Sequence, residues 1–281
     1  MQKIKQHSKN RFAFILYLIL AIYAVFTMFP FLWALSGSFK TYREIVSGSL
    51  SLIPDAPTIQ AYVKLITVDG NFPRWIFNSF FIGIVGTTMN VFFNTMAGYA
   101  LARLKFRGRG FVLNMILISI MVPGQVLLIP NYLIVQWFGL MNSFSAVLIP
   151  AAVNATFIYM MRQFFINFPK EVEEAASIDG LGRVGVFFKI AMPLARPAIA
   201  TQAVFVFMGF WNAFLQPKLY LQNPELYTLT VGIQTMMSRF SGITQWEEVL
   251  AASVISMIPI LIIYIVLNKK FIHSVRMDGE K

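Results

Sequence analysis

Between residues 110 and 161 the chain carries no charged side chain. At 1.5 Å per residue, one helix of that length would run about 78 Å, far beyond the roughly 30 Å hydrocarbon core of a bilayer. The run must therefore turn back on itself. Gly139-Leu140-Met141-Asn142-Ser143 has the chemistry of an external turn, and Pro123-Gly124 and Pro130 predict a break or kink ahead of it. Irregular backbone at such depth survives only against protein or beside a water-filled cavity.

Shorter apolar runs of the same kind recur along the chain. Six crossings are predicted, near 12–36, 75–101, 111–133, 143–161, 197–217 and 250–268. Charged residues make up only 12% of the chain and hydrophobic ones 57%, whereas soluble domains carry about 25% charged residues. The fold class expected is an all-α integral membrane protein. Basic residues precede the first segment as they would a secretory signal, but about 25 apolar residues with Pro30 among them exceed the usual 7 to 15 residue core. It reads as a retained helix.

The 23 basic residues set the predicted topology. Lys3, Lys5, Lys9 and Arg11 precede the first crossing; Arg103, Lys105, Arg107 and Arg109 follow the second; Arg162, Lys170, Arg183, Lys189 and Arg196 follow the fourth; Lys269, Lys270, Arg276 and Lys281 follow the sixth. Against these seventeen, the alternate side holds Lys40, Arg43, Lys64, Arg74, Lys218 and Arg239. Both termini are therefore expected in the cytoplasm. The net charge of +11 is then a topology signal, and nucleic acid is not an expected partner. Arg103, Lys105, Arg107 and Arg109 read first as topology determinants and lipid-headgroup partners, and second as residues beside the surface of a cytoplasmic partner subunit.

No linker or repeat divides the chain. One membrane domain is expected over 1–281: an N-terminal helix and external segment (1–75), a five-helix core (76–268) with a cytoplasmic loop at 166–196, and a tail (269–281). The external stretches 37–73 and about 218–246 are expected to cap the outer face and to offer a surface to a soluble partner. With no cysteine there is no thiolate metal site or Cys nucleophile, and His7 and His273 stand alone in opposite tails, so neither a metal site nor a catalytic residue is assigned. A Gly-x-x-x-x-Gly-Lys-Ser/Thr phosphate loop is absent from the sequence, so energy from ATP would have to come from another subunit.

One charged island interrupts this pattern: Glu174-Ala175-Ala176-Ser177-Ile178-Asp179-Gly180, then Ile190-Ala191-Met192-Pro193. Pro169 suits the first position of a helix, and Glu171, Glu173 and Glu174 fall where the helix dipole favours anions. Val172, Ala175, Ala176 and Asp179 share a face, and Gly180 can take the left-handed conformation that ends the helix. Val184, Phe187, Phe188 and Ala191 give a second short helix an apolar face, closed by Pro193. The small residues Ala175 and Ala176 would let a partner's groove approach, with Glu174 oriented against a cation there. An amphipathic elbow lying on the lipid surface is the other reading of the same pattern.

Glu-Ala-Ala, three residues, Gly, nine residues, Ile, one residue and Met-Pro closely resembles the cytoplasmic loop of binding-protein-dependent ABC importer permeases, with Met192 where that family has Leu. Asn78-Ser79, Ala97-Gly98-Tyr99-Ala100-Leu101-Ala102-Arg103-Leu104-Lys105-Phe106-Arg107-Gly108, Met121-Val122-Pro123, Ile129-Pro130, Gly139-Leu140, Arg162-Gln163-Phe164-Phe165 and Trp211-Asn212-Ala213-Phe214 through Pro217 are similar to its carbohydrate-uptake branch in order and spacing. The nearest likeness is to the smaller, six-helix permease of maltose-type importers. The resemblance implies a type I importer permease fold in a bacterial cytoplasmic membrane. It also implies a second permease as heterodimer partner, two ATPase subunits binding ATP and Mg, and an external solute-binding protein. No cofactor would be bound by the chain itself. It further implies that Glu174, Ala175, Ala176, Asp179, Gly180, Ile190 and Pro193 dock on the ATPase. The family's Gly-rich, Lys-Gly ending is replaced here by Arg276-Met277-Asp278-Gly279-Glu280-Lys281.

Charged side chains are missing from the predicted crossings, which disfavours ion coupling and a fixed counter-charge for an ionic solute. Uncharged amides are present, and they suit sugar hydroxyls, with aromatic rings to pack on sugar faces. Asn154 and Gln125 rank first as substrate contacts, beside or between predicted breaks, followed by Asn94, Asn212 and Trp211. Interhelical packing is the competing role for each. The expected function is import of a neutral sugar or oligosaccharide, driven by partner ATPases. The alternatives are a self-sufficient secondary transporter or facilitator, and a membrane scaffold.

Overall fold

The computed structural model describes the backbone of residues 2–48, 50–68, 70–237 and 244–278, with side chains described from 13 to 266 within those stretches except Lys170. The side chains of Lys3, Lys5, His7, Lys9, Arg11, Lys170, Arg239, Lys269, Lys270, His273 and Arg276, and the ending Gly279-Glu280-Lys281, lie outside the described residues. All regular elements described are helical. In chain order they are α1 (Gln2–Gly37), α2 (Tyr42–Val46), α3 (Gln60–Thr67), α4 (Phe72–Arg103), α5 (Arg109–Met121), α6 (Leu128–Trp137), α7 (Phe144–Ala151), α8 (Ala155–Ile166), α9 (Lys170–Ile178) and α10 (Arg183–Val186). A π-turn (Phe187–Ala191) leads to α11 (Met192–Leu194), then α12 (Arg196–Trp211), α13 (Leu215–Tyr220), a 3-10 turn (Pro224–Leu226), α14 (Leu229–Met237) and α15 (Trp246–Asp278).

Among the described residues, three helical stretches are long and apolar enough to cross a membrane: Ala13–Gly37, Phe72–Arg103 and Trp246–Val266. Two bent pairs bring the number to as many as five: α7 with α8, at 41°, and Arg183–Leu194 with α12, at 76°. The stretch expected as one crossing at 111–133 is instead two helices, α5 and α6, separated at 122–127. The expected break at Pro123-Gly124 lies in that gap. Pro130 does not break a helix: it is the third residue of α6, where its missing N–H would have had no intrahelical partner anyway. The turn expected at 139–143 joins α6 to α7, with Gly139 at φ +67° and Asn142 at φ +57°.

The chain forms two compact units, residues 1–70 with 233–281, and residues 71–232. In the first, polar pairing orders the segment that follows α1. Lys40, 2% exposed, faces Glu44 at 3.4 Å and donates to the Ser51 carbonyl at 2.6 Å. Glu44 also accepts the Asp55 N–H at 3.1 Å, and the hydroxyls of Ser38 and Tyr62 meet at 2.7 Å. Lys64 on α3 reaches Glu248 of α15 at 3.5 Å and Glu247 at 3.9 Å.

The second unit is built around α4, which packs on α8 and α12. Close approach depends on small residues, as in membrane bundles generally. A Cβ on Gly98 would stand 2.7 Å from the Met161 Cβ, 2.9 Å from the Arg162 nitrogen and 3.0 Å from the Ile158 carbonyl oxygen. Higher on α4, Gly83 and Gly86 receive the rings of Phe207 and Phe210 from α12. Tyr99, Met161, Phe165, Phe187, Ala191 and Ala195 form a buried cluster at the base of the 166–196 loop.

Candidate functional site

Helix α9 ends as its sequence predicts. Gly180 has φ +87°; its N–H bonds the Ser177 carbonyl at 3.1 Å, and the Leu181 N–H bonds the Ala176 carbonyl at 3.0 Å. These two bonds are the Schellman pattern, which satisfies the last carbonyls of a helix and turns the chain sharply. At the other end Pro169 stands one place earlier than expected, as the capping residue and not the first helical one. Either position wastes no N–H.

The knob presents Glu174, Ala175, Ile178 and Asp179 outward. Ala176 does not join them: it is only 6% exposed and packs within the knob. The second half also departs from its expected face. Phe187 and Ala191 are buried as expected, but Val184 and Phe188 are exposed and Val186 is buried instead; across the π-turn residues five apart, such as Val186 and Ala191, come to share a face. Ile190 and Pro193 are half-buried. Pro193 lies inside the helical run, which ends at Ala195 before the 76° bend into α12. Beneath the knob the Tyr99 ring meets Phe165 at 5.2 Å, edge-on, and Phe187 at 5.1 Å.

Arg103 corrects an expectation. It is not a headgroup partner: its side chain is 6% exposed, its Nε faces Glu173 Oε1 at 3.4 Å and its Nη2 donates to the Phe168 carbonyl. Burial raises the Glu173 carboxyl above the ordinary carboxylate range, and the Arg103 charge offsets part of that.

The second candidate region is the α7–α8 break. Interrupting a helix at Ala152–Asn154 strips partners from backbone groups on both sides, and side chains of α4 replace them. Asn90 Nδ2 donates to the Ala151 carbonyl at 2.8 Å, and Asn94 Oδ1 accepts the Asn154 N–H at 3.0 Å. Asn94 Nδ2 donates to Asn90 Oδ1 at 2.7 Å, and Gln202 Nε2 of α12 donates to the same oxygen at 3.2 Å. The Asn154 side chain caps α8, accepting from the N–H groups of Thr156 and Phe157 at 2.9 and 3.3 Å.

Beside this bracket lies a cavity of about 270 Å³, its lining including Asn90, Asn131, Asn154, Phe157, Gln216 and Tyr220. Every lining residue is uncharged. Of the ranked substrate candidates, Asn154 reaches the cavity; Asn94, Gln125, Asn212 and Trp211 do not. Asn94 is fully buried in the bracket. Gln125 is exposed in the α5–α6 turn. Asn212 donates to the Met208 carbonyl of its own helix at 2.9 Å. Trp211 is buried, edge-on to Phe80 at 4.8 Å and stacked with Phe207 at 5.8 Å. Gln216 falls inside the crossing predicted at 197–217 and is not singled out there, while Tyr220 lies just beyond it.

Residues 94–277 match the family described as the binding-protein-dependent transport system inner membrane component. The chain is 33% identical over 263 residues to an arabinooligosaccharides transport system permease protein of Halalkalibacterium halodurans, covering 93% of this chain and 94% of that one. It is 31% identical to a sulfoquinovosyl glycerol transport system permease protein of Agrobacterium fabrum, covering 90% and 89%. In structure it is similar to a chain of a bacterial ABC transporter involved in the import of the acidic polysaccharide alginate, with a TM-score of 0.86, 25% identity, and coverage of 94% and 98%. The chain belongs to the binding-protein-dependent transport family: it is an ABC importer permease of the inner membrane, multi-pass, and a transport component and not an enzyme. Membership implies a complex with ATPase and binding-protein partners.

Proposed function

We propose that this permease is one of two different transmembrane subunits of an ATP-driven importer for a neutral sugar or oligosaccharide. The observation that carries the substrate class is the cavity at the α7–α8 break, which offers amides, a phenol and aromatic faces and no charge. Amide and phenol groups exchange hydrogen bonds with hydroxyls, and rings pack on the apolar faces of pyranoses. A carboxylated sugar would enter this cavity without a counter-charge, at a high desolvation cost. The relatives' names range from arabinooligosaccharides to an acidic polysaccharide, so it is the uncharged cavity lining and not family membership that supports a neutral solute.

In this reading both termini and the 166–196 loop are cytoplasmic, six segments cross the membrane, and Glu174, Ala175, Asp179, Gly180, Ile190 and Pro193 form the docking knob for an ATPase subunit. The partner ATPases hold ATP and Mg, and their closure opens the pathway outward to receive solute from the binding protein. The test is uptake into proteoliposomes containing both permeases, the ATPase and the binding protein. Uptake of neutral oligosaccharides is expected to require internal ATP and to exceed uptake of uronate oligosaccharides of the same length. Gradient-driven uptake by this chain alone, or preference for the uronates, would contradict the proposal.

A further inference from the structure

Arg103 is the last residue of α4, where a cation also complements the helix dipole. Its guanidinium makes three contacts with the start of α9. Nη2 donates to the Phe168 carbonyl, Cζ stands 5.8 Å from the centre of the Phe168 ring, and Nε faces Glu173 at 3.4 Å. Phe168 immediately precedes the residue that caps α9, and Glu173 lies in its first turn. One planar fork thus holds the residue ahead of the cap by a hydrogen bond and the first turn of α9 by an ion pair, a geometry a point-charge ammonium cannot reproduce.

The two neighbouring acids divide the work. Successive residues of a helix point about 100° apart; Glu173 turns inward to Arg103, and Glu174 faces out. A buried ion pair is a weak source of stability, because desolvation offsets most of the attraction, but it does fix one arrangement over others. Four residues earlier on α4, Tyr99 packs on Phe165 and Phe187, so the same helix end holds both halves of the knob.

We propose that Arg103 is a positioning residue for coupling: it locks the axis of α9 to the end of α4 through Glu173 and the Phe168 carbonyl, so that force on α9 moves α4 instead of flexing the connection. This rests on the reading of α9 as the ATPase-docking helix. Two measurements test it. In the isolated full chain, Arg103→Gln is expected to speed hydrogen exchange of the amides at 171–176 by about tenfold, the loss of one charge-assisted bond. In the assembled transporter the same variant is expected to lower solute taken up per ATP hydrolysed several-fold, with Arg103→Lys intermediate. The double variant Arg103→Glu with Glu173→Arg is expected to recover part of what Glu173→Arg alone loses.

Wild-type exchange and wild-type uptake per ATP in Arg103→Gln would overturn the proposal. Faster exchange with unchanged uptake per ATP would overturn it too, since the lock would then transmit nothing. If Arg103→Gln does not assemble, Glu173→Gln gives both readouts, and wild-type values there overturn it equally. Failure of the docking reading shows separately: Glu174→Lys would then retain ATPase co-purification whatever Arg103 does.

Discussion

Gly180 shows how one backbone conformation shapes the knob proposed to dock on the ATPase. At φ +87°, with open space where a Cβ would sit, the constraint is conformational and not steric crowding. An L-residue in the left-handed region costs about 1 to 2 kcal/mol, and Asn tolerates it better than a β-branched side chain. Gly180→Val is therefore expected to speed exchange of the Gly180 and Leu181 amides by roughly tenfold, and Gly180→Asn by clearly less. Equal, wild-type exchange in both would show that the Schellman turn does not hold the end of α9. Arg103 illustrates the limit of reading at this scale. Beside Lys105, Arg107 and Arg109 it looks like another topology charge, and only the fold brings it to Glu173, seventy positions along the chain.

At the scale of elements, the α7–α8 break is held from outside. Removing Asn94 would leave the Asn154 N–H without its acceptor in this part-buried bond, a loss of about 0.5 to 1.5 kcal/mol. Asn94→Leu is thus expected to lower the thermal unfolding temperature in detergent, followed by tryptophan fluorescence. Asn212→Leu, which removes only a bond within α12 from an exposed side chain, should leave it close to wild type. Similar shifts for the two would contradict the bracket. Local chemistry announced the gap after α5, since Pro123-Gly124 cannot continue a helix, and it announced the end of α9 at Gly180. The break before Asn154 was not legible in the same way. Its capping side chain is local, but the groups that make the interruption affordable are Asn90 and Asn94, some sixty residues earlier. The register shift in the loop was hidden for a related reason: a π-turn alters which residues share a face, so 3-and-4 spacing pointed to Val184 where Val186 is buried.

For the whole molecule, an uncharged cavity and a charged knob lie in the same compact unit, joined by α4 and α8. Asn90 and Asn94 of α4 brace the cavity wall, and Tyr99 and Arg103 of the same helix hold the knob. That continuity supports the proposal that work done at α9 reaches the cavity through one helix. The chain's lack of cysteine allows a direct test by site-specific cross-linking in the assembled transporter. Ala175→Cys, on the exposed face of α9, is expected to cross-link to an ATPase subunit, whereas Leu50→Cys, 71% exposed in the segment after α1 and assigned to the outer side, is not. Cross-linking to the ATPase from Leu50→Cys and not from Ala175→Cys would contradict both the topology and the docking of α9.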